Sequence, residues 1–150
     1  MEKYFSNQKI YIDVEGENFS EVLKNVTEDL ERKGYINNEF FSKVLEREKE
    51  FPTGLEFPEH NIAIPHTDPV YVKESGIVVI KPKKSVVFRD MGTNAKDLNV
   101  DIILLLLISH NEEQVKVLSS IINKFANKEF YNNILRSDEK EEIYKILVSK

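Results

Sequence analysis

A chain of 150 residues, 41% hydrophobic and 31% charged, is long enough to bury one core and too polar for a membrane-embedded class. The net charge of −5 disfavours non-specific nucleic-acid binding, and the absence of cysteine removes disulfides, thiol nucleophiles and cysteine-held metal. The first residues, Met1 to Ser6, lack the apolar core of a secretory signal, and the most apolar run, residues 102–108, is far short of the ~20 residues of a spanning helix, so a cytoplasmic protein with no membrane insertion is expected.

Residues 9–14 carry the β-branched and aromatic bias of a strand, with Gly16 turning after it. Asn18 or Ser20 is placed to cap a helix whose inner face holds Phe19, Val22, Leu23, Val26 and Leu30, and Gly34 supplies a left-handed stop. A second helix is predicted after Asn37, with Phe40, Phe41, Val44 and Leu45 facing inward, fading before Pro52. Residues 51–59 hold two prolines and a glycine and read as a loop. It feeds a strand that begins at Asn61 and stops at Pro65.

Strands are next expected at 76–80 and 86–88, on either side of the Lys81-Pro82-Lys83-Lys84 turn. Residues 100–108 are apolar on both faces and predict a central strand. Asn111 is expected to cap a helix bearing Val115, Leu118, Ile121, Ile122 and Phe125. A short helical piece at 130–135 follows, and a last helix starts from Ser137 or Asp138. Strands interleaved with helices imply an α/β fold: one domain over residues 1–150, a sandwich with a mixed central sheet flanked by helices.

The chemistry concentrates at Pro65-His66. Proline cannot continue a central ladder, so pairing should end there and leave His66 at the lip of the sheet, where imidazole can be a base, a nucleophile or a metal ligand. Asp68-Pro69 looks like a helix start, with Asp68 as the cap and proline in the first position. The N–H groups of such a turn would suit an anion beside His66. Taken alone, the same pattern also describes an ordinary strand-to-helix connection with a partly buried histidine. His60 and His110 read as solvated loop histidines. Neither has the spacing of a helical zinc site, and no metal is expected.

Three further motifs lie in order around this step: Glu46-Arg47-Glu48, then Thr53-Gly54-Leu55, then Asn61-Ile62-Ala63-Ile64-Pro65-His66-Thr67. Together they resemble the type-2 (mannitol/fructose class) enzyme IIA family of the bacterial phosphotransferase system. Thr67-Asp68-Pro69 and Val86 through Met91-Gly92 look most like its galactitol-type subgroup. The resemblance implies a phosphotransferase in sugar transport. His66 would take a phosphoryl group from the phosphohistidine of HPr and pass it to a cysteine of enzyme IIB, with Arg47 gripping the phosphoryl oxygens. Read as a surface residue, Arg47 would instead pair with Glu46 or Glu48. Thr53, Thr67 and Asp68 are candidates for phosphate-binding or supporting roles. No cofactor is implied, and the sugar would be bound by the membrane component IIC rather than by this chain.

The sequence departs from the mannitol-type pattern at one place. Gln114 stands where those members carry a second active-site histidine; glutamine can hydrogen-bond His66 or a phosphoryl oxygen but carries no charge. That favours a galactitol-like member. The rival readings are a nitrogen-type regulatory IIA, which signals through its phosphorylation state, and a non-catalytic binding module on the same fold. A hydrolase using His66 as base has neither a Gly-x-Ser-x-Gly nor a cysteine nucleophile to work with.

Overall fold

The computed structural model describes residues 1–93 and 95–149. Its centre is a five-stranded mixed sheet built from β1 (Ile10–Val14), β2 (Gly54–Glu56), β3 (Asn61–Ala63), β4 (Gly76–Pro82) and β7 (Ile103–Leu107), in the order β1-β4-β7-β3-β2. The pairs β1/β4 and β3/β7 are parallel, whereas β4/β7 and β2/β3 are antiparallel. A separate antiparallel pair, β5 (Val86–Arg89) with β6 (Asp97–Val100), is tied to the main sheet by a bridge between Gly54 and Asp90.

The two faces of β7 explain the layering. Ile103, Leu105 and Leu107 join one apolar cluster with α1 (Phe19–Arg32) and α2 (Phe40–Glu50). Leu104 and Leu106 join a second with α3 (Asn111–Phe125), α4 (Lys128–Arg136) and α5 (Lys140–Val148). Period-two alternation thus sends neighbouring residues of a doubly buried strand into opposite cores. The expected α/β sandwich with a mixed sheet flanked by helices is the observed architecture.

Several boundaries differ from those expected. The segment read as a loop contains β2, three residues long and held by pairing with β3 rather than by propensity. The apolar run expected as one strand from 100 to 108 is divided at Asp101-Ile102, and its first part belongs to the β5/β6 pair. The α3 helix begins at Asn111 itself. His110 occupies the capping position without a side-chain bond, so Asn111 is not the cap. Likewise α5 starts at Lys140 after Glu139, because Ser137 ends α4. Other signals hold. Asn18 Oδ1 accepts the Glu21 N–H at 3.0 Å, so Asn18 rather than Ser20 caps α1, and Gly34 takes the left-handed conformation at φ +82°.

Candidate functional site

The parallel neighbours β3 and β7 end on the same side of the sheet, and the chain beyond their carboxyl ends holds His66, Thr67, Asp68 and Gln114, as is usual for open α/β sheets. Pairing outlasts β3 by a little: the Ile64 N–H donates to the Thr53 carbonyl at 3.2 Å, and the Leu106 N–H donates to the Pro65 carbonyl at 3.0 Å. Proline costs the ladder only a donor, and its carbonyl still pairs. The main chain is therefore fixed right up to His66.

His66 is half-buried, and its Nδ1 lies 2.9 Å from the Ile64 carbonyl oxygen. A carbonyl can only accept, so Nδ1 carries the proton and Nε2 keeps its lone pair. Burial lowers the imidazole pKa from 6.5, and the Arg47 charge adds to that effect. The Ile64 carbonyl and Asp68 pull the other way without reversing it. A neutral ring with one defined lone pair is a nucleophile at neutral pH.

Arg47 lies in the last turn of α2. Its guanidinium sits over the Phe51 ring, 5.3 Å from the centroid, and its buried Nε–H has no partner among the described residues. Neither expected acidic partner takes it: Glu46 pairs with Lys43 at 3.8 Å, and Glu48 bonds Thr53. A cleft of about 200 Å³ opens beside it, lined also by Lys43, Glu46, Glu50, Thr67, Asp68 and Tyr71. A cation with an unspent buried donor at the edge of such a cleft is suited to an anion.

The remaining candidates divide. Thr67 is buried at this step, and Asp68 is exposed next to it. The Asp68 side chain does not cap, however, and the residues after it form a single 3-10 turn, Pro69–Tyr71, not an α-helix. Three residues accumulate too little dipole to hold an anion, so the positive charge of the site comes from Arg47. Thr53 is buried with both donors committed: its N–H and hydroxyl donate to the two Glu48 oxygens at 2.8 and 2.7 Å. It supports the strand and has no donor left for a ligand. Gln114 is half-buried in the first turn of α3, and its side chain makes no hydrogen bond among the described residues. The structure does not join it to His66.

Sequence reading passed over Glu48 and misplaced His60. Glu48 falls at the inward spacing of α2, three, four and seven residues after Leu45, Val44 and Phe41, and that spacing was the available signal. Burial pushes its carboxyl up to about 7, with the two Thr53 donors opposing. His60 is not a solvated loop residue. It is stacked on Tyr131 (4.2 Å between centroids) and lies against the tilted ring of Phe57 (4.9 Å), with Nε2 2.6 Å from the Phe125 carbonyl. His110 is exposed.

With this geometry in place, comparison with known proteins is decisive for the family. The family described as phosphoenolpyruvate-dependent sugar phosphotransferase system, EIIA 2, matches residues 3–150. The chain belongs to that family. It is a phosphoryl-carrier component of a phosphotransferase relay. The galactitol-specific EIIA component of Escherichia coli K12 is 28% identical over 120 residues, which cover 80% of this chain and 79% of that protein. Among solved structures, the nitrogen regulatory protein IIA-Ntr of Neisseria meningitidis superposes with a TM-score of 0.79 at 26% identity, covering 98% of each chain. IIA mannitol of E. coli, solved in complex with phosphorylated enzyme IIB mannitol, gives 0.78 at 19% identity over 97% of this chain and 98% of that one. Among the described residues of this EIIA, no helix is long and apolar enough to cross a membrane.

Proposed function

We propose that His66 accepts a phosphoryl group from the phosphohistidine of HPr and passes it to a cysteine of an enzyme IIB, in the uptake of galactitol or a related polyol or sugar. The observation that carries this reading is the fixed tautomer: Nδ1–H is held on the Ile64 carbonyl and Nε2 is left as the free lone pair, with the Arg47 charge close enough to lower the ring's pKa. In the first step Nε2 attacks phosphorus in line. The P–N bond to the donor histidine breaks as the P–Nε2 bond forms, and the donor imidazole leaves with that electron pair. In the second step a thiolate of IIB attacks, the P–Nε2 bond breaks and the ring returns to its neutral form. Such transfers need positioning and charge neutralisation rather than a proton relay, and the Arg47 guanidinium is the group suited to neutralise charge.

The substrate assignment draws support from the galactitol-specific relative and from the Thr67-Asp68-Pro69 and Met91-Gly92 elements. The sugar itself would be held by the membrane component IIC, this chain acting as one cytoplasmic domain that never contacts it. Incubation with phosphoenolpyruvate, enzyme I and HPr is the test. The parent protein should take up one acid-labile phosphate and His66→Ala none; an unlabelled parent, or an equally labelled variant, overturns the reading.

The 26% identity to a nitrogen regulatory protein across the whole chain sustains one second reading, a regulator whose phosphorylation state is itself the output. Adding a galactitol-type IIB to the labelled protein separates the two. Discharge onto the IIB cysteine supports the transport role, and retention of the label supports the regulator.

A further inference from the structure

We infer that Glu48 is a positioning residue for His66, acting through Thr53 and Ile64. The reading rests on His66 being the phosphoryl acceptor proposed above. Four hydrogen bonds connect the carboxylate to the imidazole. Glu48 Oε2 and Oε1 accept the Thr53 N–H at 2.8 Å and its hydroxyl at 2.7 Å. The Thr53 carbonyl accepts the Ile64 N–H at 3.2 Å, and the Ile64 carbonyl accepts His66 Nδ1–H at 2.9 Å. Three of the four links are to a backbone group and the fourth is to the Thr53 hydroxyl, so a shift of Thr53 is delivered to the carbonyl that selects the ring tautomer.

The setting of Glu48 supports the assignment. It lines a groove with Phe19, Leu45, Val87 and Phe88, apolar walls that give a carboxylate little solvation. The charged groups around that groove are Lys49 on its own helix and Arg89 on β5. The α1 end contributes Asn18 and Ser20, which do not titrate near neutrality. Arg47, the preceding residue, lines the separate cleft with Thr67 and Asp68 and not this groove. The ionised carboxylate accepts both Thr53 donors, whereas protonation turns one of its oxygens into a donor and removes one acceptor. With its carboxyl pushed up to about 7, Glu48 would lose part of its grip on Thr53 before His66, whose pKa is lowered, takes up a proton.

The test uses the full chain with ¹⁵N-labelled histidine, in the parent, Glu48→Gln and Thr53→Val. Glutamine can accept only one of the two Thr53 donors; valine removes the hydroxyl while keeping the amide and the carbonyl. The parent should show the Nδ1–H tautomer of His66. Glu48→Gln should show a mixture of tautomers, a rate of phosphoryl uptake in a single turnover reduced about tenfold, and an acid limb of that rate moved from near pH 7 to the lower pH set by His66 alone. Thr53→Val should lie between the two. Unchanged His66 ring signals and an unchanged acid limb in Glu48→Gln, whatever its melting temperature, would reduce Glu48 to closing the turn between α2 and β2 and overturn the inference. If Glu48→Gln does not fold, unchanged signals and limb in Thr53→Val overturn it equally. A parent that takes up no phosphate sinks the proposed function, and the tautomer comparison still decides the positioning role.

Discussion

His66 Nδ1 and the Ile64 carbonyl oxygen stand 2.9 Å apart, so the strand that delivers the imidazole also fixes which of its nitrogens can react. Burial and the nearby Arg47 charge then keep the ring neutral. An NMR titration of His66 should give a midpoint below 6.5, and Arg47→Ala should move it upward, because a charge that lowers the value has been removed. The folded pKa lies below the unfolded one, so His66 contributes stability above pH ~6.5 that is lost as pH falls through the folded value. A midpoint at or above 6.5, or a downward move in Arg47→Ala, contradicts this account.

Arg47 presents a buried Nε–H that has no partner among the described residues, and its guanidinium stacks on Phe51. It makes no ion pair with Glu46 or Glu48, so its removal breaks no salt bridge to either. Arg47→Ala should slow single-turnover phosphoryl uptake by about 100-fold, the usual cost of losing one preorganised transition-state donor, with little change in melting temperature. Arg47→Lys should recover only part of that rate, since an ammonium lacks the planar fork. Equal rates in Arg47→Ala and the parent would return the residue to the surface.

How much of this was legible in the sequence depended on whether the cause was local. The α1 cap at Asn18, the stop at Gly34 and the end of pairing at Pro65 follow from short-range chemistry, and the structure keeps them. The strand β2 exists because β3 lies beside it, and no property of Gly54-Leu55-Glu56 announces that. The Asp68-Pro69 pattern was right about a short turn and wrong about the cap: the chain turns once at Pro69–Tyr71 and is extended again at Val72, while the Asp68 side chain makes no capping bond. His66 and Arg47 were visible as motif residues. Their electrical relationship, and the commitment of Thr53 to Glu48, needed the fold.

His60 shows the same limit and provides a control. Its ring is packed between Phe57 and Tyr131, and Nε2 bonds the carbonyl of Phe125 at the end of α3. Replacement by alanine removes the stacking and leaves that carbonyl without its donor, which should cost about 1–3 kcal/mol in a urea denaturation. Phosphoryl uptake per folded molecule should stay at the parent level, because none of these contacts reaches His66. A variant as stable as the parent would show that the stacking contributes nothing.

Gly54 joins the site to the smaller sheet and leaves no room for a side chain. A Cβ at this position would lie 2.5 Å from the Arg89 carbonyl oxygen and 3.1 Å from its carbon. Both are backbone atoms, so no rotamer change relieves the clash and β5 has to move away from β2. The Gly54 carbonyl also accepts the Met91 N–H at 2.7 Å, which holds the end of β5 in place. Gly54→Ala should therefore destabilise by about 1–3 kcal/mol, the range for overpacking a filled site. Faster amide exchange should appear at Met91 before the strands of the main sheet, since the strain enters at the β2–β5 contact. Displacement of β2 would also disturb Thr53, one residue earlier, and through it the bond to the Ile64 N–H. Phosphoryl uptake should fall along with stability, in contrast to His60→Ala. If the Met91 amide exchanges as slowly in Gly54→Ala as in the parent, the close approach of the two strands is not what glycine is needed for.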